Sequence, residues 1–391
     1  MSSHLRGYII FTMPINRIAV CVFFFVNGFL YANWTARLPE VQRFFDVSNT
    51  RLGTMLFTIA IGAVVAMPIT GWLTVKFGSM RVTQTTGLIY CSLIPLLIFT
   101  PNLTIASISF FAIGLMAGSM DVAMNGQAVF VERAYKKPIM SSFHAVFSVG
   151  MALGAGAGAI FAKMDIALFS HFLMVAIVGV VANVWAATNL IDDRPSVAKS
   201  EESSEEEEHF MLPTKAVLPL GIVAFCAMTG EGAMADWSAI FMNKVLAQTE
   251  SYSALAFGAF GTAMTIGRIF GDGWTTRFGK SKLLIYSSIF SMAGLALVVL
   301  TPLPELAFVG FFLVGIGLAN VVPIVYSTAG NLKGIEPSVG IAMATTVGYA
   351  GFFVGPPTIG FLSDQFGLRL GLCFVLVLFF AMLVLVMRRK T

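Results

Sequence analysis

Twelve apolar runs, each about as long as a bilayer is thick, constrain this chain more than any other feature. A membrane-spanning helix needs about 20 mostly apolar residues. Hydrocarbon offers the backbone no hydrogen-bond partner, so such runs must be helical, and their continuous rather than alternating pattern excludes a β-barrel. We place the spans at residues 17–38, 52–75, 80–100, 104–130, 139–162, 166–190, 215–243, 253–275, 282–301, 305–330, 338–363 and 367–387.

The composition predicts an all-α membrane protein. Hydrophobic residues make up 57% of the 391 residues and charged residues 11%, whereas a soluble domain carries about 25% charged residues. The four cysteines lie inside apolar runs, without the spacing of a disulfide framework or a metal site. A water-soluble globule and a disulfide-stapled secreted protein are therefore excluded.

The sequence carries no motif of enzyme, metal or cofactor chemistry. Neither HExxH nor GxSxG occurs. Residues 273–281 imitate a phosphate-binding loop, but five residues rather than four separate the glycines, and a span rather than a strand precedes them. We expect no enzyme activity, no metal site, no cofactor and no nucleotide-driven transport.

The distribution of lysine and arginine predicts the orientation in the membrane. Seventeen of the 24 basic residues fall on the side of both termini, six fall on the other side, and Arg268 lies inside a span. Because basic loops stay cytoplasmic, both termini should face the cytoplasm. The first run should remain as a span rather than a cleaved signal peptide. The net charge of +4 is spread over short loops and indicates no nucleic-acid partner.

The acidic segment 191–213 divides the chain into two halves. It holds eight of the 20 acidic residues, a composition that favours a solvated linker. Lys76-Phe77-Gly78 after the second span is echoed by Arg277-Phe278-Gly279 after the eighth. We predict two pseudo-symmetric six-helix bundles, residues 1–190 and 214–391, with a ligand held near the midplane between them.

Glycines recur at helical spacing on two spans. Gly150, Gly154 and Gly158 follow one another on the fifth span, and the eleventh span has a similar series at 348, 351 and 355. Small residues let helices approach closely. The pattern fits static packing, and it also fits helices that slide or bend.

Asp121 is the first ionisable residue that the sequence places deep in a span. Gly114, Gly118, Asp121 and Asn125 share one helical face by three- and four-residue spacing. A charge at the bilayer centre is expensive, so this face should not meet lipid. Desolvation favours the protonated carboxyl, which predicts proton coupling; a buried structural acceptor is the alternative.

Glu231 is the corresponding acid on the seventh span. The flanking Gly230 and Gly232 weaken the helix and predict a bend or break. Asp236 lies about 140° further round a regular helix and nearer the outer end, where an interfacial anchor is the alternative. His144, near the inner end of the fifth span, is a further candidate for proton relay, against an ordinary buried histidine.

The remaining polar residues in the spans predict a solute cavity. Arg268 and Asp272 are spaced for an ion pair at the inner end of the eighth span. The other candidates offer hydrogen-bond groups and aromatic faces that suit a small polar organic molecule better than a bare ion. These predicted substrate-binding residues are Asn27, Asn33, Trp34, Asn125, Gln127, Asp236, Trp237, Asn320, Tyr326 and Tyr349.

The loop after the second span resembles the signature of the major facilitator superfamily, G-x-x-x-D-R-x-G-R/K. Gly71, Lys76, Phe77, Gly78 and Arg81 match it, while Val75 stands where the family usually has an Asp that helps to lock the cytoplasmic gate. The resemblance covers nearly the whole chain and implies a twelve-helix transporter. It assigns a gating role to Gly71, Lys76, Gly78 and Arg81, and in the degenerate second copy to Arg268, Asp272, Arg277 and Gly279.

Several segments are similar to a branch of YbjJ-like bacterial permeases, among them WTARLPEVQ at 34–42, SMDVAMNGQAVFVER at 119–133 and GEGAMADW at 230–237. A more distant resemblance runs to the fucose–proton symporters, which carry a functional carboxylate on span four, four residues before an Asn. Asp121 and Asn125 match that arrangement. The symporters' second carboxylate would fall at Thr35 and is missing, so the sugar does not carry over.

Together these features predict a monomeric secondary active transporter that moves a small organic solute by alternating access, with proton-coupled symport through Asp121 and Glu231. A proton-driven exporter is the nearest alternative; the antiporter signature on span five needs a Gly-Pro pair, which is absent. A non-transporting membrane receptor or scaffold is the alternative from another class.

Overall fold

The protein is helical throughout the part of the chain that the computed structural model describes, residues 3–47, 49–99, 102–193, 214–248 and 250–388. Those ranges contain a short 3-10 helix, Pro95–Ile98, and the following α-helices: α1 Ser3–Thr35, α2 Leu38–Phe45, α3 Asn49–Phe77, α4 Ser79–Leu93, α5 Leu103–Tyr135, α6 Met140–Lys163, α7 Leu168–Ala187, α8 Leu218–Lys244, α9 Glu250–Phe278, α10 Lys280–Leu300, α11 Pro304–Leu318, α12 Val321–Ala329, α13 Pro337–Phe366 and α14 Leu368–Arg388.

Within the described ranges, ten segments are long and apolar enough to cross a membrane, counting α11 and α12 as one. The helix α4, continued by the 3-10 helix, and the more polar α9 occupy the other two predicted spans. The predicted all-α fold of twelve spans is confirmed. Large apolar side chains such as Val181 and Phe361, each 65% exposed, cover the outer helix faces, as expected of surfaces that meet lipid.

Three local predictions were wrong. The first span ends at Thr35 rather than 38, because Pro39 starts a separate helix, α2. The fourth span continues to Tyr135, five residues past the predicted end. No break occurs at Glu231, since α8 runs unbroken. Its glycines are packing sites instead: a Cβ at Gly230 would lie 2.5 Å from the Phe379 ring.

The chain forms two compact units. Unit 1 comprises Met1–Lys137, Phe143–Met211 and Gly330–Ala342, and unit 2 comprises Pro138–Ser142, Leu212–Ala329 and Met343–Thr391. Two short connections are thus assigned differently from the predicted halves: 138–142 belongs to unit 2 and 330–342 to unit 1. Most of the predicted acidic linker, residues 194–213, lies outside the described residues.

Backbone-to-backbone contact at glycines holds unit 1 together. A Cβ at Gly114 would overlap the Ile59 carbonyl oxygen, and one at Gly118 would lie 2.8 Å from the Ala63 oxygen, so α5 and α3 pack as closely as two helices can. The stripe on α6 packs in the same way against α1, where a Cβ at Gly158 would lie 3.1 Å from the Asn33 carbonyl oxygen.

Helices of unit 2 also pack closely at glycines. On α13, a Cβ at Gly351 would lie 2.8 Å from the carbonyl oxygen of Phe225 on α8. Between α10 and α11, Gly294 and Gly310 face each other, and each leaves 2.6 Å between its missing Cβ and the other's carbonyl oxygen. Lipid tails are as apolar as these helix faces, so no hydrophobic effect draws the helices together. The close van der Waals contact at the glycines therefore stabilises their packing.

Candidate functional site

Asp121 lies near the middle of α5, on the stripe of small residues that packs against α3. Its Oδ1 accepts a hydrogen bond of 3.2 Å from Asn125 Nδ2, which also donates to the Asp121 carbonyl oxygen at 2.8 Å. Among the described residues no cation pairs with this carboxyl. On insertion scales an acid at the centre of a bilayer costs about 2.5–3.5 kcal/mol.

Asn27 on α1 and His144 on α6 are further buried polar residues of unit 1. Asn27 Nδ2 lies 3.9 Å from Met124 Sδ on α5. The His144 ring meets Phe24 of α1 edge-on, with centroids 5.3 Å apart. Three helices of unit 1, α1, α5 and α6, therefore carry polar side chains in its apolar interior.

In unit 2, Glu231 on α8 pairs with Arg268 on α9. Arg268 Nη2 lies 3.9 Å from Glu231 Oε1, and the side chains are 10% and 32% exposed respectively. Arg268 was predicted to pair with Asp272 at the helix end. The structure instead buries Arg268 two turns inside α9, while Asp272 Oδ2 accepts the Ser142 N–H at 3.1 Å.

Aromatic side chains lie between α8 and α13. Phe352 on α13 packs against Gly232, where a Cβ would come within 3.0 Å of its ring, and it meets Tyr349 edge-on at 5.6 Å. Trp237, half-buried further along α8, covers Gly360. Asp236 beside it is exposed. Unit 2 thus contains an acid on α8, a buried guanidinium on α9, and aromatic side chains on α8 and α13.

Several residues predicted to bind substrate make hydrogen bonds within the fold. Gln127 is buried: its Nε2 donates to Ser79 Oγ and to the Ile191 carbonyl, and its Oε1 accepts the Ile191 N–H at 3.0 Å. Asn33 Oδ1 bonds to His171 Nε2 at 2.9 Å. Asn320, which lies between α11 and α12, donates to the Gly267 carbonyl of α9 at 2.9 Å.

Trp34 and Tyr326 are enclosed by their own units. Trp34 is buried between Tyr31 and Phe110, with ring centroids 5.6 and 5.9 Å away. Tyr326 on α12 is equally buried. Burial does not separate the predicted substrate contacts, since Asn27 and Asn125 are buried as well. The substrate-binding role of these amides and rings stays a prediction.

The predicted gating residues form two matching turns. Gly78 and Gly279 precede α4 and α10 with φ of 81° and 79°, a conformation that favours glycine. Lys76 lies over the Trp72 ring at 5.0 Å, and Arg277 lies over Phe278 at 5.4 Å. Gly71 packs on Ala342, and Arg81 is exposed.

Sequence reasoning missed an acid that caps one of these turns. Asp193, just after α7, accepts hydrogen bonds from the Ser79 N–H at 2.7 Å and the Met80 N–H at 2.9 Å. It satisfies the first N–H groups of α4, which have no partner inside the helix. Asp193 lies in the acidic segment 191–213, so the sequence suggested that it belongs to the linker. Its closeness to the end of the sixth span is the one sequence feature that could have indicated a structural role.

A second missed acid lies before α13. Glu336 Oε2 accepts the Val339 N–H at 3.0 Å, as expected of a residue at a helix start followed by Pro337. Burial raises the pKa of Glu336 to about 7, and the neighbouring Asp193 adds to the effect, while Arg133 opposes it. Arg133 itself donates to Asn331 Oδ1 at 2.6 Å and to the Gly330 carbonyl.

A third missed cluster lies where α1, α2 and α7 meet. The buried Arg37 pairs with Glu40, donates to the Ile166 carbonyl at 2.9 Å and lies 3.2 Å from His171 Nδ1. His171 in turn stacks on Phe161 at 4.3 Å. These bonds hold the ends of α1, α2 and α7 together.

Comparison with known proteins identifies the family. The sequence model of the Major Facilitator Superfamily matches residues 19–333 and 220–391. The chain belongs to the Major Facilitator Superfamily. It is 32% identical to an uncharacterized MFS-type transporter of Yersinia pestis, over 87% of each chain. It is also 32% identical to an uncharacterized transporter of Sinorhizobium fredii, over 93% of this chain and 95% of that one.

Solved structures confirm the fold of this transporter family. The MFS transporter FucP superimposes with a TM-score of 0.77 over 97% of this chain and all of that chain, at 15% identity. At that identity the likeness shows the fold and leaves the solute open. Membership of this family identifies the chain as a transporter and as an integral membrane protein.

Proposed function

We propose that this chain is a proton-coupled symporter that carries a small polar organic solute across the bacterial inner membrane by alternating access, with both termini in the cytoplasm. The observation that carries the proposal is Asp121, an acid in the middle of a spanning helix whose described partner is the neutral amide of Asn125. The family relationship and the FucP-like fold support transport. A fucose:proton symporter of this fold is known from E. coli.

The chemistry at Asp121 follows from its surroundings. An ionised carboxylate there has no counter-ion among the described residues, so it gains most by binding a proton when the site is closed to water. When the site opens to an aqueous side, hydration favours the ion and the proton leaves. The single Asn125 hydrogen bond orients the carboxyl in both forms. A group that alternates in this way couples the movement of protons to that of a solute.

The test is solute-driven proton movement in proteoliposomes that hold the purified chain and an internal pH dye. A panel of neutral sugars, polyols, amino sugars and sugar acids is added outside, and internal acidification is recorded. We expect at least one solute to acidify the lumen, because proton and solute enter together. The Asp121→Asn variant keeps the shape and the Asn125 contact but cannot release a proton, so its signal should fall to that of protein-free liposomes.

The matched control is Asp165→Asn, the same substitution at an exposed residue with φ of 51°, which Asn tolerates. This variant should behave as the wild type. Undiminished acidification by Asp121→Asn would refute the proton-carrying role. Alkalinisation of the lumen on solute entry would instead identify an exchanger, in which protons and solute move in opposite directions.

A further inference from the structure

We propose that Glu336 is a pH-sensitive latch: its protonated form holds the connection 330–342 against α5 of unit 1, and its ionised form loosens that connection. The connection follows α12 and includes the first turns of α13. Glu336 precedes the spanning segment that begins at Pro337. The latch is therefore separate from the proton that we assign to Asp121 inside a span.

The first observation is that the connection follows one face of α5. At its start, Arg133 donates to Asn331 Oδ1 at 2.6 Å and to the Gly330 carbonyl. Gly126 lies seven residues before Arg133 and so on the same face of the helix. A Cβ at Gly126 would overlap the Ser338 hydroxyl. Both ends of the connection are thus held close against α5.

The second observation is that two helix starts meet at Gly126, and each carries an acid. The same Cβ would lie 3.4 Å from Ser79 Cβ, so the first turns of α4 and α13 touch one point of α5. Asp193 accepts the Ser79 N–H of α4, and Glu336 accepts the Val339 N–H of α13 at 3.0 Å. Two carboxyl groups are therefore brought together where the connection docks.

The third observation is that the two acids have unequal numbers of donors. Asp193 accepts three hydrogen bonds of 2.6–2.9 Å, from the Ser79 N–H, the Ser79 hydroxyl and the Met80 N–H. Glu336 accepts from the backbone of Val339 and, more weakly, of Ser338. Because such bonds favour a carboxylate and a neighbouring like charge opposes it, the acid with fewer donors takes up a proton first. That acid is Glu336.

The charges around Glu336 come from two other elements. Asp193, after α7, repels the ionised form, and Arg133, on α5, attracts it. Burial raises the pKa of Glu336 most, and Asp193 adds to it, so that it reaches about 7. Glu132 on α5 is buried. Further charged side chains on these elements, on the turn before α4 and on the connection are exposed: Lys76, Arg81, Lys136, Lys137, Asp192 and Lys333.

The direction of the pH effect follows from this pKa. The ordinary pKa of 4.5 applies to a released connection, and about 7 applies to a docked one. Between these values the docked connection keeps a proton that the released one has lost, so rising pH favours release by up to about tenfold per pH unit. Above about pH 7 both forms are ionised, and the equilibrium changes no further.

The test is hydrogen–deuterium exchange of the full chain in detergent, followed by mass spectrometry from about pH 5 to about pH 8.5. Dividing each rate by the intrinsic rate at that pH gives a protection factor that reports local opening. We expect the protection of the connection to fall up to about tenfold per unit towards pH ~7 and then to stay level. Peptides from the contact of α3 with α5 should keep their protection.

Variants identify the titrating group. Glu336→Gln keeps an acceptor for the Val339 N–H and cannot ionise, so protection of the connection should stay high at every pH. Asp193→Asn removes the like charge and should reduce the loss of protection, and this variant decides the matter if Glu336→Gln does not fold. Glu305→Gln changes an exposed acid in the first turn of α11. It is the matched control and should keep the wild-type profile.

The latch is overturned if wild-type protection of the connection is independent of pH or if Glu336→Gln keeps the pH dependence. It is also overturned if the contact of α3 with α5 loses protection in parallel, since the whole unit would then be unfolding. Should Glu336→Gln not fold, an unchanged profile in Asp193→Asn overturns it. None of these results bears on proton carriage by Asp121, which the transport measurement tests separately.

Discussion

At the scale of single residues, three acids are informative, and they differ in what opposes their charge. Asp121 has a neutral amide, Glu231 a guanidinium at 3.9 Å, and Glu336 a backbone N–H with Asp193 nearby. Residue type and depth were readable from the sequence for the two spanning acids. The partner of each was not, because partners come from helices far apart in the chain.

Glu336 gives the residue-scale prediction. Its pKa is raised from 4.5 to about 7, so between these values the folded chain holds a proton that the unfolded chain has released. Stability therefore falls as pH rises through this window. Glu336→Gln keeps an acceptor for the Val339 N–H and removes the charge, and we expect it to be more stable than the wild type by about 1 kcal/mol above pH ~7, since partial exposure screens the effect.

Thermal unfolding at a series of pH values checks this. The advantage of Glu336→Gln should vanish below pH ~4.5, where the wild-type carboxyl is protonated in both states. Glu305→Gln, at an exposed acid in the first turn of α11, is the control and should show no such window. An advantage of Glu336→Gln that is equal at all pH values would show that the charge of Glu336 is not its cause.

At the scale of elements, close helix contact depends on glycine at a few positions and not at others. The sequence marked both stripes of small residues, but spacing alone cannot say which glycines meet another backbone. Gly114 meets Ile59 on α3, while a Cβ at Gly156 on α6 has nothing within 4 Å. Both glycines lie in helices, but only Gly114 meets another backbone. The same substitution at both positions therefore isolates the effect of close packing.

We predict that Gly114→Ala destabilises the protein by about 1–3 kcal/mol, because the added methyl overlaps the Ile59 carbonyl and forces α5 from α3. Gly156→Ala should be neutral or stabilising by up to about 1 kcal/mol, since alanine has the higher helix propensity. Thermal unfolding of the two variants in the same detergent measures the difference. Equal stability of both would contradict the close packing of α3 and α5.

At the scale of the whole molecule, the two compact units do not follow the chain strictly. The connection 330–342, which comes from the second half of the sequence, belongs to unit 1, and Arg133 at the end of α5 holds it through Gly330 and Asn331. The unit is thus completed by a segment about 200 residues further along, an association that a hydropathy pattern cannot reveal.

Limited digestion with trypsin checks this association, because Lys333 lies in the connection and is exposed. Arg133→Ala should raise the rate of cleavage after Lys333 several-fold, since the bonds that hold the connection to α5 are lost. Lys137→Ala, which removes a nearby exposed cation, should leave that rate unchanged. Unaltered cleavage in Arg133→Ala would mean that other contacts hold this segment.

The sequence by itself determined the number and order of the spans, the repeat between the halves, the family, and the depth of Asp121 and Glu231. These are properties of hydrophobic length and local spacing, and the bilayer makes both decisive. Tertiary structure decided which polar side chains form hydrogen bonds between distant parts of the chain, as with Gln127 and Asn33, and that Arg268 lies 3.9 Å from Glu231 on another helix. Such pairings depend on which helices pack side by side, and that order is set by shape complementarity across the whole chain.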